Sequence, residues 1–189
     1  NFSEMRSRYD IGYVLNEMGL TGVCAEIGVA FGENAELILD RSRLRMLLLV
    51  DPWNYVPDQS PEGFGDAIKD WNGCYEYCVR KLSRFSARTT IVRSASCDVA
   101  PWIKDGSLDF VYIDANHMSP YVDADIEAWY PKVRSGGVFG GHDYHNVKQP
   151  SYTCDVKSAV DAFLVRNTID SQSLIVVPDE CPSWYLVKA

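Results

Sequence analysis

Short apolar runs recur along the chain, separated by stretches in which apolar residues return every three or four positions. The runs fall at 23–27, 46–50, 89–92, 108–113, 138–141, 174–177 and 184–187. Continuous runs of this kind fit strands covered on both faces within a parallel sheet. The stretches between them predict amphipathic helices. Ile11, Val14, Leu15 and Met18 share one face, with Gly19 and Gly22 marking the exit, and Ile68, Trp71, Tyr75, Cys78 and Leu82 share another. Val122, Ile126 and Trp129 form a third face that Pro131 helps to end, and Val156, Val160, Phe163 and Leu164 a fourth. Two further helices are predicted over 33–41 and 99–103, and Ser135-Gly136-Gly137 turns into the fifth strand. Segments 52–65 and 142–153 carry no period and predict loops.

Strands alternating with helices give an α/β fold with a Rossmann-like, doubly wound and mostly parallel sheet. No helix separates the last two runs, so they predict an antiparallel C-terminal edge hairpin. There is no internal repeat or linker, and residues 1–189 read as one domain. The chain begins at Asn1 without an initiator Met, which reads as a domain taken from a longer polypeptide.

The first strand carries the most specific signal, Val23-Cys24-Ala25-Glu26-Ile27-Gly28-Val29-Ala30-Phe31-Gly32-Glu33-Asn34. An acid closes the apolar run, two glycines follow four apart, and a helix opens, an arrangement that cradles a nucleotide-like ligand. Gly28, Ala30, Gly32 and Asn34 are the candidate cradle. The dinucleotide fingerprint is instead G-x-G-x-x-G, with its acid about 20 residues further on. The difference points to S-adenosylmethionine rather than a nicotinamide cofactor. Asp51 ends the second strand and is placed to accept hydrogen bonds from two vicinal ribose hydroxyls. Arg93-Ser94-Ala95-Ser96-Cys97-Asp98 follows the third strand, where Ser94 and Ser96 offer small polar groups to an adenine edge. Trp53 is a candidate cover for cofactor or substrate.

In open α/β sheets ligands gather at the carboxyl ends of the strands. Glu26, Asp51, Asp114 and the pair His142/Asp143 all fall at such ends. The chain's three histidines, His117, His142 and His145, follow the fourth and fifth strands. That clustering favours catalysis over isolated structural roles, with His142 and His117 ahead of His145.

A net charge of −8 and a pI near 4.8 disfavour non-specific attraction to nucleic acid or an anionic membrane. No apolar run approaches the 18 or so residues of a membrane span. The N-terminal residues do not form a signal peptide. Six scattered cysteines lack metal-ligand spacing and read as reduced thiols, so a cytoplasmic location is expected.

Several segments together resemble the class I S-adenosylmethionine-dependent methyltransferases, within them the macrocin O-methyltransferase-like and cephalosporin-hydroxylase-like subgroup. They are Ala25-Glu26-Ile27-Gly28 with Gly32, Val50-Asp51-Pro52-Trp53, Val111-Tyr112-Ile113-Asp114-Ala115-Asn116-His117 and Asp125-Ile126-Glu127-Ala128-Trp129. Gly136-Gly137, Gly140-Gly141-His142-Asp143-Tyr144 and the stretch from Val156 to Phe163 complete the match. The resemblance implies a seven-stranded sheet with a reversed last strand. It implies that Glu26 and the backbone at Gly28 hold the methionine end of the donor, Asp51 the ribose, and Ser96 the region of the adenine. It also implies a divalent ion on Asp114, His142 and Asp143. His142 stands where some relatives carry a carboxylate, which turns the expectation from Mg²⁺ toward Mn²⁺ or a metal-free histidine base.

The reaction expected is O-methylation of a hydroxyl on a small molecule, sugar or glycan. His117 or His142 serves as base, or a metal on Asp114 and Asp143 activates the hydroxyl. Trp53, Tyr55, Phe64, Tyr144 and Tyr152 in the two loops suit stacking against a sugar or flat ring. Two other classes compete: a nicotinamide-dependent Rossmann oxidoreductase, and a non-catalytic cofactor-binding or interaction domain.

Overall fold

The computed structural model describes residues 1–54, 70–149 and 152–189. Its strands are β1 (Val23–Ile27), β2 (Met46–Asp51), β3 (Thr89–Arg93), β4 (Leu108–Ile113), β5 (Val133–Gly141), β6 (Val147–Gln149), β7 (Tyr152–Cys154), β8 (Ile175–Val177) and β9 (Ser183–Val187). Its α-helices are α1 (Ile11–Glu17), α2 (Glu33–Arg41), α3 (Trp71–Lys81), α4 (Ser96–Val99), α5 (Tyr121–Trp129) and α6 (Val156–Arg166).

Seven strands form one sheet in the order β3-β2-β1-β4-β5-β9-β8. The first five pair in parallel, and β9 runs antiparallel to both β5 and β8. The predicted doubly wound sheet and reversed C-terminal hairpin are both present. Chain order reverses between β1 and β4, the switch point at which a crevice opens beyond the strand ends.

Alternate residues of each central strand feed opposite cores, and this is why those strands read as unbroken apolar runs. Cys24, Leu47, Leu49, Phe110 and Tyr112 pack with Ile11, Leu15, Ile38 and Leu39 of α1 and α2. Ala25, Leu48, Val50, Val111 and Ile113 pack on the other face with Ile126, Trp129, Val160 and Phe163 of α5 and α6.

The structure departs from the sequence reading at four places. Met18 lies beyond α1 and is exposed, because Gly19 turns the chain at φ +69°. The helix expected over 99–103 is instead α4 followed by a 3₁₀ turn at Ala100–Trp102, where Pro101 has no N–H to continue an α-helix. β5 begins at Val133, and its register against β4 shifts between Leu108 and Phe110, so the Ser135-Gly136-Gly137 signal marks an irregularity inside a strand. The segment expected to be loop over 142–153 contains the antiparallel pair β6 and β7. Ile68, Tyr55 and Phe64 lie outside the described residues.

Gly28 is fixed by the approach of β1 to β4. It holds φ +82°, and a Cβ there would stand 2.0 Å from the Asp114 carbonyl oxygen. The obstacle is backbone, so it cannot swing aside. Gly28→Ala is expected to lower unfolding free energy by about 3 kcal/mol, combining overpacking with a left-handed alanine. Urea unfolding at neutral pH measures this; a loss below about 0.5 kcal/mol, within the usual range for innocuous surface changes, would show that the approach is not tight.

Candidate active site

A cavity of about 670 Å³ opens over the carboxyl ends of the central strands. Of the sequence candidates, Glu26, Gly28, Ala30, Asn34, Asp51, Ser96, Asp114, His117, His142 and Asp143 line it. Gly32, Trp53 and Ser94 do not. Gly32 is the left-handed N-cap of α2, its α-carbon facing Cys78 and Leu82. Trp53 is fully buried, donating its indole N–H to the Ala30 carbonyl at 2.8 Å and meeting Tyr75 edge-on. Ser94 donates its backbone N–H to the Asp51 carbonyl. Tyr144, a candidate stacking ring, points elsewhere and donates its hydroxyl to Asp161, whereas Tyr152 on β7 does line the cavity.

Asp51 at the end of β2 organises the turn after β1. Its Oδ2 accepts the backbone N–H of Val29 at 2.8 Å and of Ala30 at 3.0 Å, and its Oδ1 that of Trp53 at 2.6 Å. Ala30 and Trp53 both sit in left-handed backbone, at φ 46° and 40°. A carboxylate offers about four acceptor positions. Three are taken by backbone here, so Asp51 builds the cradle and presents only its remaining capacity to a ligand.

Glu26 is buried at the end of β1. Its Oε1 accepts from Asn34 Nδ2 at 3.0 Å, and its Oε2 has no hydrogen-bond partner among the described residues. Burial pushes this carboxyl up to about 8, against the pull of Asn34 and Arg8.

Beyond β4 and β5, all three histidines surround one carboxylate. His142 Nδ1 bonds Asp143 Oδ2 at 2.9 Å, His117 Nε2 lies 3.1 Å from the same oxygen, and His145 Nε2 lies 3.8 Å from Oδ1. His117 Nε2 also stands 3.4 Å from Asp114 Oδ1. Burial works against charge on both groups. The His142 bond and the two imidazoles nevertheless hold Asp143 well below the usual carboxylate range, and Asp114 and Asp143 raise His117. One donor atom each from Asp114, His117 and Asp143 lie within 4.8 Å of one another, a spacing that suits a metal ion. Two of these belong to the ligand set expected from the sequence; His117 completes the cluster, and His142 stands beside it, 3.8 Å from Asp114 Oδ2.

Arg8 and Asp125 are among the lining residues that escaped the sequence reading. Arg8, from the 3₁₀ turn Arg8–Asp10, donates from Nη1 to Asp114 Oδ2 at 2.9 Å. The N-terminal residues carry no periodic pattern that would have flagged it. Asp125 on α5 is buried, accepts hydrogen bonds on Oδ1 from the Ser96 hydroxyl and from the Cys97 thiol at 3.8 Å, and is pushed up to about 6 by burial. An acid between Val122, Ile126 and Trp129 on a buried helical stripe was the available signal.

The Glu26 carboxyl gives the ligand-free fold a pH signature. The folded state holds the proton up to about pH 8, whereas an ordinary glutamate releases it near 4.5. Folded protein therefore binds more protons across that window, and stability falls as pH rises through it. Glu26→Gln keeps the Asn34 contact and removes the titration. Urea unfolding between pH 5 and 8 is expected to show wild type losing stability relative to Glu26→Gln; parallel curves would rule out the buried proton.

The methyltransferase-domain family profile matches residues 25–144. No curated protein matches the chain in sequence. Among solved structures, an O-methyltransferase from Bacillus cereus in complex with S-adenosylhomocysteine (SAH) is 13% identical, with TM-score 0.64 over 96% of this chain and 80% of its own. A candidate caffeoyl-CoA O-methyltransferase from Staphylococcus aureus is also 13% identical, with TM-score 0.65 over 95% and 81%. Spermidine synthase from Thermotoga maritima reaches TM-score 0.59 at 14% identity, over 96% of this chain and 59% of its own. Among the described residues no helix is long and apolar enough to cross a membrane. With the sheet order, the acids at the strand ends and a profile match over most of its length, this chain belongs to the methyltransferase-domain family and is a class I S-adenosylmethionine-dependent methyltransferase.

Proposed function

We propose that the protein methylates a hydroxyl on a small molecule, sugar or glycan, with Asp143 and its histidines as the proton-handling centre. The observation that carries this reading is the convergence of His117 and His142 on Asp143 in the cavity that also holds Glu26, with His145 behind Asp143 and off the cavity wall. The donor fits the orphaned Glu26 Oε2, a buried acceptor suited to an ammonium group. S-adenosylmethionine supplies an electrophilic methyl on a sulfonium.

A hydroxyl is a weak nucleophile near neutral pH, so the chain must orient it and take its proton. His142 is the better base. Its Nδ1 is tied to Asp143, which leaves Nε2 as the basic nitrogen, the arrangement used wherever a carboxylate orients a catalytic imidazole. His117 belongs with Asp114 and Asp143 to the metal-compatible cluster. Two carboxylate oxygens and one imidazole nitrogen favour Mn²⁺ or a similar ion over Mg²⁺. Such an ion, when bound, would lower the pKa of an acceptor hydroxyl. The acidic pI and the acid-lined cavity support a neutral or hydroxyl-rich acceptor over nucleic acid.

The deciding experiment is a methyl-transfer screen over sugars, glycans and phenols, with and without Mg²⁺ or Mn²⁺. Calorimetry is expected to show S-adenosylmethionine binding to the intact protein; no binding would remove the reading. Asp143→Ala is expected to keep that affinity within a few-fold while transfer falls by about 10²–10⁴-fold. Unchanged turnover would take Asp143 out of the reaction. Chelation followed by Mn²⁺ add-back separates metal assistance from a histidine base acting alone.

A further inference from the structure

The cavity wall is strongly acidic. Glu26, Glu33, Asp51, Asp114, Asp125 and Asp143 all contribute to it. Such a wall suits a sulfonium and an ammonium, but it repels the third charged group of the donor, the methionine carboxylate. Arg8 is the one arginine or lysine among the described lining residues, hence the one permanent positive charge available to an anion there. Its side chain is largely enclosed, 19% exposed, and the ring of Tyr9 lies 5.2 Å from its Cζ. A guanidinium presents five N–H donors in a planar fork matched to carboxylates. The structure spends Nη1 on Asp114. Glu26 shares the cavity and feels the Arg8 charge, so the orphaned acceptor and the guanidinium are electrostatic neighbours.

We infer that Arg8 and Glu26 together clamp the zwitterionic end of the donor, Glu26 Oε2 taking the ammonium and the Arg8 fork bridging Asp114 to the carboxylate. This rests on the proposed use of S-adenosylmethionine and adds to it a residue from the N-terminal turn, outside the sheet and outside the stretch that matches the family profile. The clamp selects for an intact amino-acid moiety. A donor or inhibitor lacking the carboxylate would leave Arg8 paired with Asp114 alone.

The test compares SAH with its decarboxylated analogue, which keeps the amine, by calorimetry on wild type, Arg8→Gln and Arg8→Lys. Wild type is expected to prefer SAH. Arg8→Gln is expected to weaken SAH by about 10- to 100-fold while changing the decarboxylated analogue by less than about threefold, the range for a charge-assisted hydrogen bond. Arg8→Lys keeps the charge without the fork, so an intermediate loss confined to SAH is expected. It also serves as the readout should Arg8→Gln fail to fold, which thermal unfolding reveals. Equal weakening of both ligands, or no weakening of either, would overturn the clamp and leave Arg8 as a structural partner of Asp114. Absence of SAH binding to wild type would instead overturn the donor assignment itself.

Discussion

Everything at the site depends on how closely the ends of β1 and β4 approach. The Asp114 N–H donates to the Ile27 carbonyl at 2.8 Å and the Gly28 N–H to the Val50 carbonyl at 2.9 Å, so the parallel ladder continues past the strand ends. Only a residue without a Cβ fits between them. That contact brings Glu26, Asp51 and Asp114, far apart in sequence, onto one rim. The His142 N–H bonds the Ile113 carbonyl at 3.0 Å and draws the end of β5 onto the same rim. Sheet geometry therefore assembles a cluster of acids that would repel one another if each were free to move.

The cluster is tolerable because each acid is treated differently. Asp51 accepts three backbone N–H groups. Asp143 is held ionised by histidines, Asp114 is paired with Arg8, and Glu26 keeps its proton well above the usual carboxylate range. Backbone strain accompanies this. Among the described residues four non-glycines have positive φ, and three of them, Ala30, Trp53 and Asp143, sit beyond the ends of β1, β2 and β5. Such conformations cost about 1–3 kcal/mol each and persist where surrounding bonds over-determine them. Here Asp51 supplies those bonds to Ala30 and Trp53, and His142 anchors the Asp143 side chain.

The central strands were legible in the sequence because both their faces are buried, which leaves an apolar run with sharp ends; β1 and β4 begin and end where the pattern does. The acids at those ends were legible for the same reason, since a charge terminating an apolar run is conspicuous. What depends on tertiary contact was not. Arg8 reaches the cavity from a turn with no period, and Asp125 becomes a site residue only because α5 faces the loop that carries Ser96 and Cys97. Trp53 and Ser94 were placed at the ligand by proximity in sequence, yet neither lines the cavity, and the Trp53 indole is buried against the Ala30 carbonyl. Sequence distance from a motif is a poor guide to which face of a turn a side chain takes.

The fold alone does not choose the reaction, since the same sheet serves a spermidine synthase and several methyltransferases. The choice of reaction therefore falls to the side chains and elements around the sheet. The β6–β7 pair follows the strand that ends near Asp143, and from it Tyr152 and Thr153 enter the cavity wall. The Tyr152 hydroxyl stands 3.5 Å from His117 Nδ1, on the opposite side of that imidazole from Asp114 and Asp143. His117 is thus the junction between the acid cluster, shaped by strands common to the fold, and an element the strand order does not require. A residue in that position links the packing of the β6–β7 pair to the charge of the acid cluster. The β6–β7 pair therefore shapes the cavity wall beside His117, while the rim of β1, β2 and β4 shapes it beside Glu26, Asp51 and Asp114.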